Sequence, residues 1–283
     1  AQTAELVPVD KKLYALRDVT ATVPSIPLIV SSIMSKKLAS GADVIALDVK
    51  AGRGSFMTTV ERAVTLAKEL TRVGRMAGKK TVAIISDMEE PLGNAIGNAL
   101  EVKEAISVLR GEEGGELLEL CLTIGACILT EAGLADSDEQ AREKLMSGIY
   151  NGSALGKLGE LVEAQGGDKR AIEDQTLLPE ARIKLETPST ASGWVKKISA
   201  QEVGLVSMHL GGGRLTKESD VDLAVGIVLN KKVGDRVETG ESLGTVHASD
   251  ASKGAEAVEL FRKCFEIVPE PVDKPSLIKE IIR

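Results

Sequence analysis

The sequence has few aromatic residues and no excess of positive charge. Of its 283 residues, only six are aromatic, and the 35 basic residues are outnumbered by 42 acidic ones, which gives a net charge of −7. Proteins that bind single-stranded nucleic acid stack the bases on aromatic side chains, and binding to phosphate backbones needs a basic surface. The composition therefore argues against a nucleic-acid partner and favours a small molecule.

Cysteines and long apolar runs are also scarce. Cys121, Cys127 and Cys264 have no CxxC spacing and lie in apolar stretches, which is typical of buried, reduced thiols in a cytoplasmic protein. No uncharged apolar run reaches 18 residues and no basic-then-apolar leader occurs. We therefore expect neither membrane insertion nor secretion.

Strand and helix patterns alternate over the first hundred residues. The periodicity predicts helices over 25–41, 58–76 and 92–109 and strands over 43–50 and 81–87. This alternation is typical of an α/β fold, a mostly parallel sheet flanked by helices. Helical patterns then continue from 116 to 165, and these helices are expected to cover the sheet.

A polar stretch over 166–179 is interpreted as a linker, because short strands dominate after it. The predicted strands are 181–187, 192–198, 223–230 and 241–248, with helices over 200–210 and 255–267. Glycines at 234, 240 and 244 space two of these strands as in a small β-sandwich or barrel. We therefore expect a smaller α+β carboxy-terminal domain.

Few side chains form a pattern that indicates chemistry by itself. Ser32 and Lys36 lie four residues apart on one predicted helix face, and Arg17 precedes that helix. Together they suit a planar ligand with carbonyl oxygens, although this signal is weak by itself, because a Ser and Lys pair on a helix usually belongs to a solvated face. The two histidines, His209 and His247, have no catalytic pattern around them, and the AGRGSF and GGGR loops match no phosphate-binding motif.

The stretch from Asp10 to Met57 resembles the pyrimidine-nucleoside phosphorylase and thymidine phosphorylase family. It reads DKKLYALRDVTATVPSIPLIVSSIMSKKLASGADVIALDVKAGRGSFM. The match continues in the family's order through SDMEEPLGNAIGNALEVKEAI, GSALGKLGELVEAQGGD and DLAVGIVLNKKVGDRVETGESLGTVH. The resemblance therefore spans nearly the whole chain.

This resemblance implies cleavage of a pyrimidine nucleoside, uridine or thymidine, by inorganic phosphate into the free base and a pentose 1-phosphate. In the matching motif, residues at the positions of Arg17, Ser32 and Lys36 hold the edge of the base. Cationic donors there stabilise the negative charge that grows on the base carbonyls as the glycosidic bond breaks. Positions that pack around the base match Val23, Ile29, Ile33 and Phe56. Plain core packing is the alternative for any of these four.

The resemblance also implies a division of the chain and a set of partners. Residues 1–40 would be a remnant of a small helical domain carrying the base-binding residues, 41–175 the α/β domain, and 176–283 the α+β domain with a barrel-sandwich, hammerhead-like part. Phosphate would be the co-substrate, no organic cofactor is implied, and the complete enzyme would be a homodimer. Family enzymes also hold a monovalent cation, which points to K⁺ at Leu92, Ala95 and Glu104, or else to a plain surface charge at Glu104.

One family motif is missing. Lys-His-Ser-Thr-Gly-Gly, which precedes the point matching Ala1 and contributes to the phosphate site, does not occur in these residues. The chain is therefore either a carboxy-terminal piece of an enzyme or a short homologue that has lost phosphorolysis. The start inside a recognisable motif favours the piece. In both cases we expect the chain alone to be inactive.

Two non-catalytic alternatives remain. The segment VGDRVETGESLGTVH also resembles the hammerhead of biotinyl and lipoyl carrier domains, but a carrier needs an exposed lysine at a hairpin tip. Lys231 and Lys232 lie instead in LNKKVGD. The second alternative is a pyrimidine-binding sensor or interaction module, which would bind the base without turnover.

Overall fold

The alternating pattern of the first hundred residues folds into a sheet with helices beside it. The computed structural model describes residues 7–214, 216 and 219–283, apart from the side chains of Lys11 and Asp18. The first six residues of the predicted segment 1–40 therefore lie outside the described residues.

The helices and strands follow one another along the described residues. The helices are α1 (Pro8–Val19), α2 (Ile26–Ala39), α3 (Val60–Met76), α4 (Asn98–Leu109), α5 (Gly115–Glu131), α6 (Asp138–Tyr150), α7 (Ser153–Ala164), α8 (Arg170–Glu173), α9 (Ala200–Ser207) and α10 (Ala251–Arg262). The strands are β1 (Val44–Ala51), β2 (Lys80–Asp87), β3 (Ala95–Ile96), β4 (Ile183–Pro188), β5 (Gly193–Ile198), β6 (Gly226–Leu229), β7 (Arg236–Val237), β8 (Ser242–Ala248), β9 (Phe265–Val268) and β10 (Ile278–Ile282).

These elements form two units that interleave along the chain. Unit 1 contains the described residues up to Asp87 together with 120–145 and 277–283, and unit 2 contains 88–119 and 146–276. The predicted domains, by contrast, are consecutive ranges. Interleaving arises because the chain after β2 enters unit 2 and its last strand returns to unit 1.

The sheet of unit 1 has the order β1-β2-β10, with β1 and β2 parallel and β10 antiparallel to β2. Successive side chains of β1 point to opposite faces of the sheet, and Ile45, Leu47 and Val49 are buried on one of these faces. They join a core with residues of α2 and α3, among them Met34 and Leu70. This core fixes α2 against β1, which matters for the pocket described below.

Unit 2 contains two antiparallel sheets, β3-β6-β8-β4 and β7-β5-β9. They share one apolar core, to which β5 contributes Val195, β6 Ile227, β8 Val246 and α10 Phe261. The predicted α/β class with an α+β part after it, including a sandwich of two sheets, is confirmed.

Several local predictions were wrong. The helix expected over 92–109 begins only at Asn98, because residues 95–96 form β3. The expected linker 166–179 contains α8 and a short 3₁₀ helix, and residues 265–267, expected to be helical, belong to β9. Helix α1 and strand β10 were not predicted. Cys121 is exposed, whereas Cys127 and Cys264 are buried as expected.

Two structural features are absent from the described residues. No helix there combines the length and apolar character needed to cross a membrane. No group of three or more His, Cys, Asp and Glu side chains in those residues could hold a metal ion.

Candidate functional site

A cavity of about 420 Å³ lies in unit 1, where residues of α1, α2, β1 and the loop after β1 surround it. Pockets for small organic ligands have volumes of roughly 300 to 1,000 Å³. All seven residues predicted to contact the base line this cavity: Arg17, Val23, Ile29, Ser32, Ile33, Lys36 and Phe56. Residues from two helices and a loop are therefore brought to one place.

Lys36 is held in the cavity by two polar partners. Its Nζ atom lies 2.7 Å from Asp10 Oδ2 on α1 and 2.9 Å from Ser32 Oγ, one turn earlier on α2. The ammonium group has three donors, so one remains for a ligand. Asp10, which no sequence pattern singled out, sets the position of this ammonium group.

Asp10 has a lowered pKa. Burial acts to raise the pKa of this carboxyl, but hydrogen bonds from Lys36 and Ser32 and the positive charges of Lys36 and Arg17 outweigh burial. The carboxylate therefore stays ionised at neutral pH and is matched to the ammonium group beside it.

Arg17 lies on the same face of α1 as Asp10 and Tyr14, since positions i, i+4 and i+7 of a helix are aligned. Its guanidinium group donates to the carbonyl oxygens of Val23 (2.6 Å) and Leu28 (3.3 Å) and lies 5.3 Å from the centre of the Tyr14 ring. Arg17 is only 6% exposed, and its Nε atom has no hydrogen-bond partner. A buried donor without a partner costs free energy, and the bonds to Val23 and Leu28 hold the guanidinium group in place.

The apolar walls come from α2 and from the loop after β1. Ile29 and Ile33 are partly buried, whereas Phe56 is 72% exposed. The hydroxyl of Ser55, next to Phe56, lies within hydrogen-bond distance of the carbonyl oxygens of Lys50 (2.9 Å), Gly52 and Met57, and its single proton is donated to one of them at a time. This contact closes the loop, and Phe56 projects at the mouth of the cavity.

A second polar cluster, which the sequence pattern did not identify, is formed by side chains of β1 and β2. Asp48 and Lys50 line the cavity, and their side chains form an ion pair of 2.7 Å. Ser86 on β2 donates to Asp48 Oδ1 (2.5 Å) and accepts from Lys50 Nζ (3.0 Å). The signal was present in the alternation of ALDVK, which places positions 48 and 50 on one face of a strand.

The predicted cation ligands lie in unit 2. The Glu104 carboxylate accepts backbone N–H bonds from Asn94 (2.6 Å) and Ala95 (3.1 Å). A carboxylate can accept about four hydrogen bonds, so acceptor positions remain for a cation. The carboxylate is thus held in place beside Ala95 by backbone donors.

Lys231 and Lys232, the candidate carrier lysines, are held in place rather than presented. Lys232 pairs with Glu90 (3.4 Å) and Glu116 (2.9 Å) and contacts the carbonyl oxygens of Pro91 and Gly93. Lys231 pairs with Glu241, and its side chain is 17% exposed. Neither lysine has the free position that attachment of a carrier cofactor requires.

The two histidines belong to unit 2 and do not line the cavity. His209 bonds Glu256 at 3.1 Å on the surface. Burial, with the charges of Lys184 and Lys103, lowers the pKa of His247, whose Nδ1 atom has no partner. This placement agrees with the absence of a catalytic pattern around either residue in the sequence.

Comparison with known proteins gives two kinds of similarity. A family model described as the a/b domain of the glycosyl transferase family matches residues 1–155, and one described as the pyrimidine nucleoside phosphorylase C-terminal domain matches residues 194–268. Proteins named pyrimidine-nucleoside phosphorylase from Staphylococcus aureus strains USA300 and NCTC 8325 are each 50% identical over 281 residues. The alignment covers 99% of this chain and 64% of each relative.

Proposed function

Because the chain belongs to the pyrimidine-nucleoside phosphorylase family of glycosyl transferases, we propose that it serves in the phosphorolysis of uridine or thymidine and supplies the pyrimidine-base site. The observation that carries the proposal is the convergence of Arg17, Ser32 and Lys36 on one cavity, with Lys36 fixed by Asp10.

The charge of this group suits the reaction. When the bond between the base and C1′ breaks, the bonding electrons pass to the base and negative charge grows on its carbonyl oxygens. Arg17 and Lys36 with Asp10 leave one net positive charge beside the cavity. Donors fixed before the reaction stabilise the developing charge more than they stabilise the neutral nucleoside. The side chains of Ile29, Ile33 and Phe56 would exclude water from the ring.

The phosphate site is proposed to lie outside this chain, which spans 64% of the length of its relatives and contains no Lys-His-Ser-Thr-Gly-Gly motif. In unit 2 we propose a K⁺ site formed by Glu104 and the carbonyl oxygens of Leu92 and Ala95. The homodimer and the cytoplasmic location stay predictions.

Calorimetric titration of the purified chain with uracil and thymine tests the base site. Lys36→Met should weaken binding about tenfold or more, because a hydrogen bond to a charged group contributes about 1.5 to 3 kcal/mol. Lys37→Met is the matched control, since Lys37 is exposed one residue further along the helix. Ser32→Ala and the exposed Ser31→Ala form a second pair. Equal affinities for Lys36→Met and Lys37→Met would refute the base site.

A second measurement tests the absence of turnover. The chain alone, incubated with uridine and phosphate, should release no uracil detectable by chromatography. Steady release in a sample whose mass spectrum shows only this polypeptide would contradict the proposal that the phosphate site lies elsewhere.

A further inference from the structure

We infer that Lys232 is the positioning residue of the proposed K⁺ site. Its ammonium group fixes the loop before β3, so that the carbonyl oxygens of Leu92 and Ala95 are left for the cation. The inference rests on the proposed function, because it concerns the cation site proposed there. The family resemblance implied no such role for Lys232.

The ammonium group of Lys232 is surrounded by oxygen atoms of unit 2. Its Nζ atom donates to the backbone carbonyl oxygens of Pro91 and of Gly93, the latter at 3.2 Å. It also pairs with the carboxylates of Glu90 (3.4 Å) and Glu116 (2.9 Å). Four oxygen acceptors thus share the three N–H groups of one ammonium, and the side chain is only 15% exposed. Lys232 therefore serves as an internal cation that holds the loop.

The hydrogen bonds of the loop leave the carbonyl oxygen of Leu92 available. Lys232 takes the carbonyl oxygens on either side of Leu92, and the N–H of Leu229 donates to that of Asn94 at 2.7 Å. Among the described residues, the Leu92 carbonyl oxygen itself accepts no hydrogen bond. Carbonyl oxygens of this kind are ligands that K⁺ accepts in place of water.

The pairing of β3 with β6 explains why the carbonyl oxygen of Ala95 faces Glu104. Because Leu229 bonds Asn94, the next pair along the ladder, Ala95 and Val228, exchanges no hydrogen bonds. The N–H and C=O groups of Ala95 therefore both point away from β6. The N–H group donates to Glu104 at 3.1 Å, so the carbonyl oxygen lies on the side of this carboxylate. A carbonyl and a carboxylate oxygen on one side of the strand fit a monovalent cation.

Gly93 connects the ammonium group to these candidate ligands. Its carbonyl oxygen binds Lys232, and its φ of 68° belongs to the left-handed region that favours glycine. A Cβ at this position would lie 2.7 Å from Oε1 of Glu104, so only glycine lets the carboxylate lie against the loop. The same oxygen accepts the N–H of Asn94 at 2.6 Å. Loss of the Lys232 contact would therefore release the turn on which Glu104 packs.

Thermal unfolding in two salts measures cation binding without an activity assay. A bound ion stabilises the folded chain by mass action, so the wild type should unfold about 2 to 4 °C higher in KCl than in tetramethylammonium chloride at equal concentration. Glu104→Gln should remove this shift, and Lys232→Met should lower it below about 1 °C. Lys231→Met is the matched control and should keep the shift. The Lys231 side chain is similarly buried, 17% exposed, but pairs with Glu241.

A double variant separates the position of the loop from the charge of the ammonium group. Lys232→Met leaves the buried Glu90, which is 5% exposed, without its cation. In Lys232→Met/Glu90→Gln no unpaired charge remains at that position, and the amide oxygen can still accept the N–H of Val233 that Glu90 accepts at 3.1 Å. The double variant should also lose the shift between the two salts.

The outcomes distinguish the role of Lys232 from the cation site itself. An unchanged shift in either Lys232 variant overturns that role, even where the unfolding temperature falls equally in both salts, since that would be a structural effect. A larger shift in Lys232→Met also overturns it, because K⁺ would then replace the ammonium group. Loss of the shift in Lys231→Met overturns it as well. A wild-type chain without a shift, or a Glu104→Gln variant that keeps one, refutes the proposed K⁺ site and the inference with it, whereas uracil binding tests the base site separately.

Discussion

Replacing Asp10 with Asn should destabilise unit 1 in a way that depends on pH. The 2.7 Å pair with Lys36 lies between side chains that are 14% and 24% exposed, so solvent screens the pair little. Hydrogen bonds to charged groups contribute about 1.5 to 3 kcal/mol and neutral ones about 0.5 to 1.5. The Asn amide oxygen can still accept from the Lys36 ammonium group but carries no opposite charge, so the expected loss is about 1 kcal/mol at pH 7.

The lowered pKa of Asp10 sets the pH range of this effect. In the unfolded chain the carboxyl has an ordinary pKa near ~3.9, so the stabilisation is present above that value. It is lost as the pH falls through the lower pKa of the folded state. The difference in free energy of unfolding between wild type and Asp10→Asn should therefore be constant from pH 7 to about 5 and shrink towards pH 3.

Urea unfolding followed by circular dichroism at a series of pH values measures this difference. Asp43→Asn is the control, because Asp43 is exposed on the surface. A difference that persists at pH 3, or that grows as the pH falls, would refute the reasoning. So would an effect at pH 7 no larger than that of the control.

Three further predictions concern the folded chain. Met34 lies in the core between α2 and β1, so Met34→Ala should lower the free energy of unfolding by about 2 to 5 kcal/mol. The control Met76→Ala, at an exposed position, should change it by less than about 0.5 kcal/mol, and equal effects of the two variants in urea unfolding would contradict the placement of Met34 in the core. Gly97→Ala should lower the free energy of unfolding by more than about 1 kcal/mol, because Gly97 has a φ of 144° and a Cβ there would lie 2.5 Å from the carbonyl oxygen of Val225. A variant as stable as the wild type in urea unfolding would contradict this close approach of Gly97 to Val225. Burial raises the pKa of Cys264 to about 12, so a thiol reagent at pH 8 should leave Cys264 unmodified until urea is added, whereas it should modify the exposed Cys121. Peptide mass spectrometry measures the modification of each cysteine.

Most regular elements could be predicted because their signals are local. Apolar periodicity and capping residues placed α2, α3, β1 and β2 within two residues of their observed ends. Helix α1 was missed although Val9, Leu13 and Leu16 have the helical spacing i, i+4 and i+7, and in the structure these three side chains are exposed. Strand β10 is defined by pairing with β2, far away in sequence, and no local pattern contains that information.

The candidate site divides in the same way. Its principal residues, Arg17, Ser32 and Lys36, were identified through the resemblance of a continuous motif, since their spacing alone favours a solvated helix face. Asp10 lies 26 residues before Lys36, and only the packing of α1 beside α2 makes them partners. Likewise, only the register of β1 on β2 brings Ser86 to Asp48 and Lys50.

The sequence alone therefore determined the family, the order of most elements and the residue types available for binding a pyrimidine. The tertiary structure decided which carboxylate holds Lys36, which donor of Arg17 is left without a partner, and which polar side chains β1 and β2 bring together. The physical reason is distance along the chain. Periodicity records how each segment buries its own face, whereas hydrogen bonds between segments depend on where the core places their backbones.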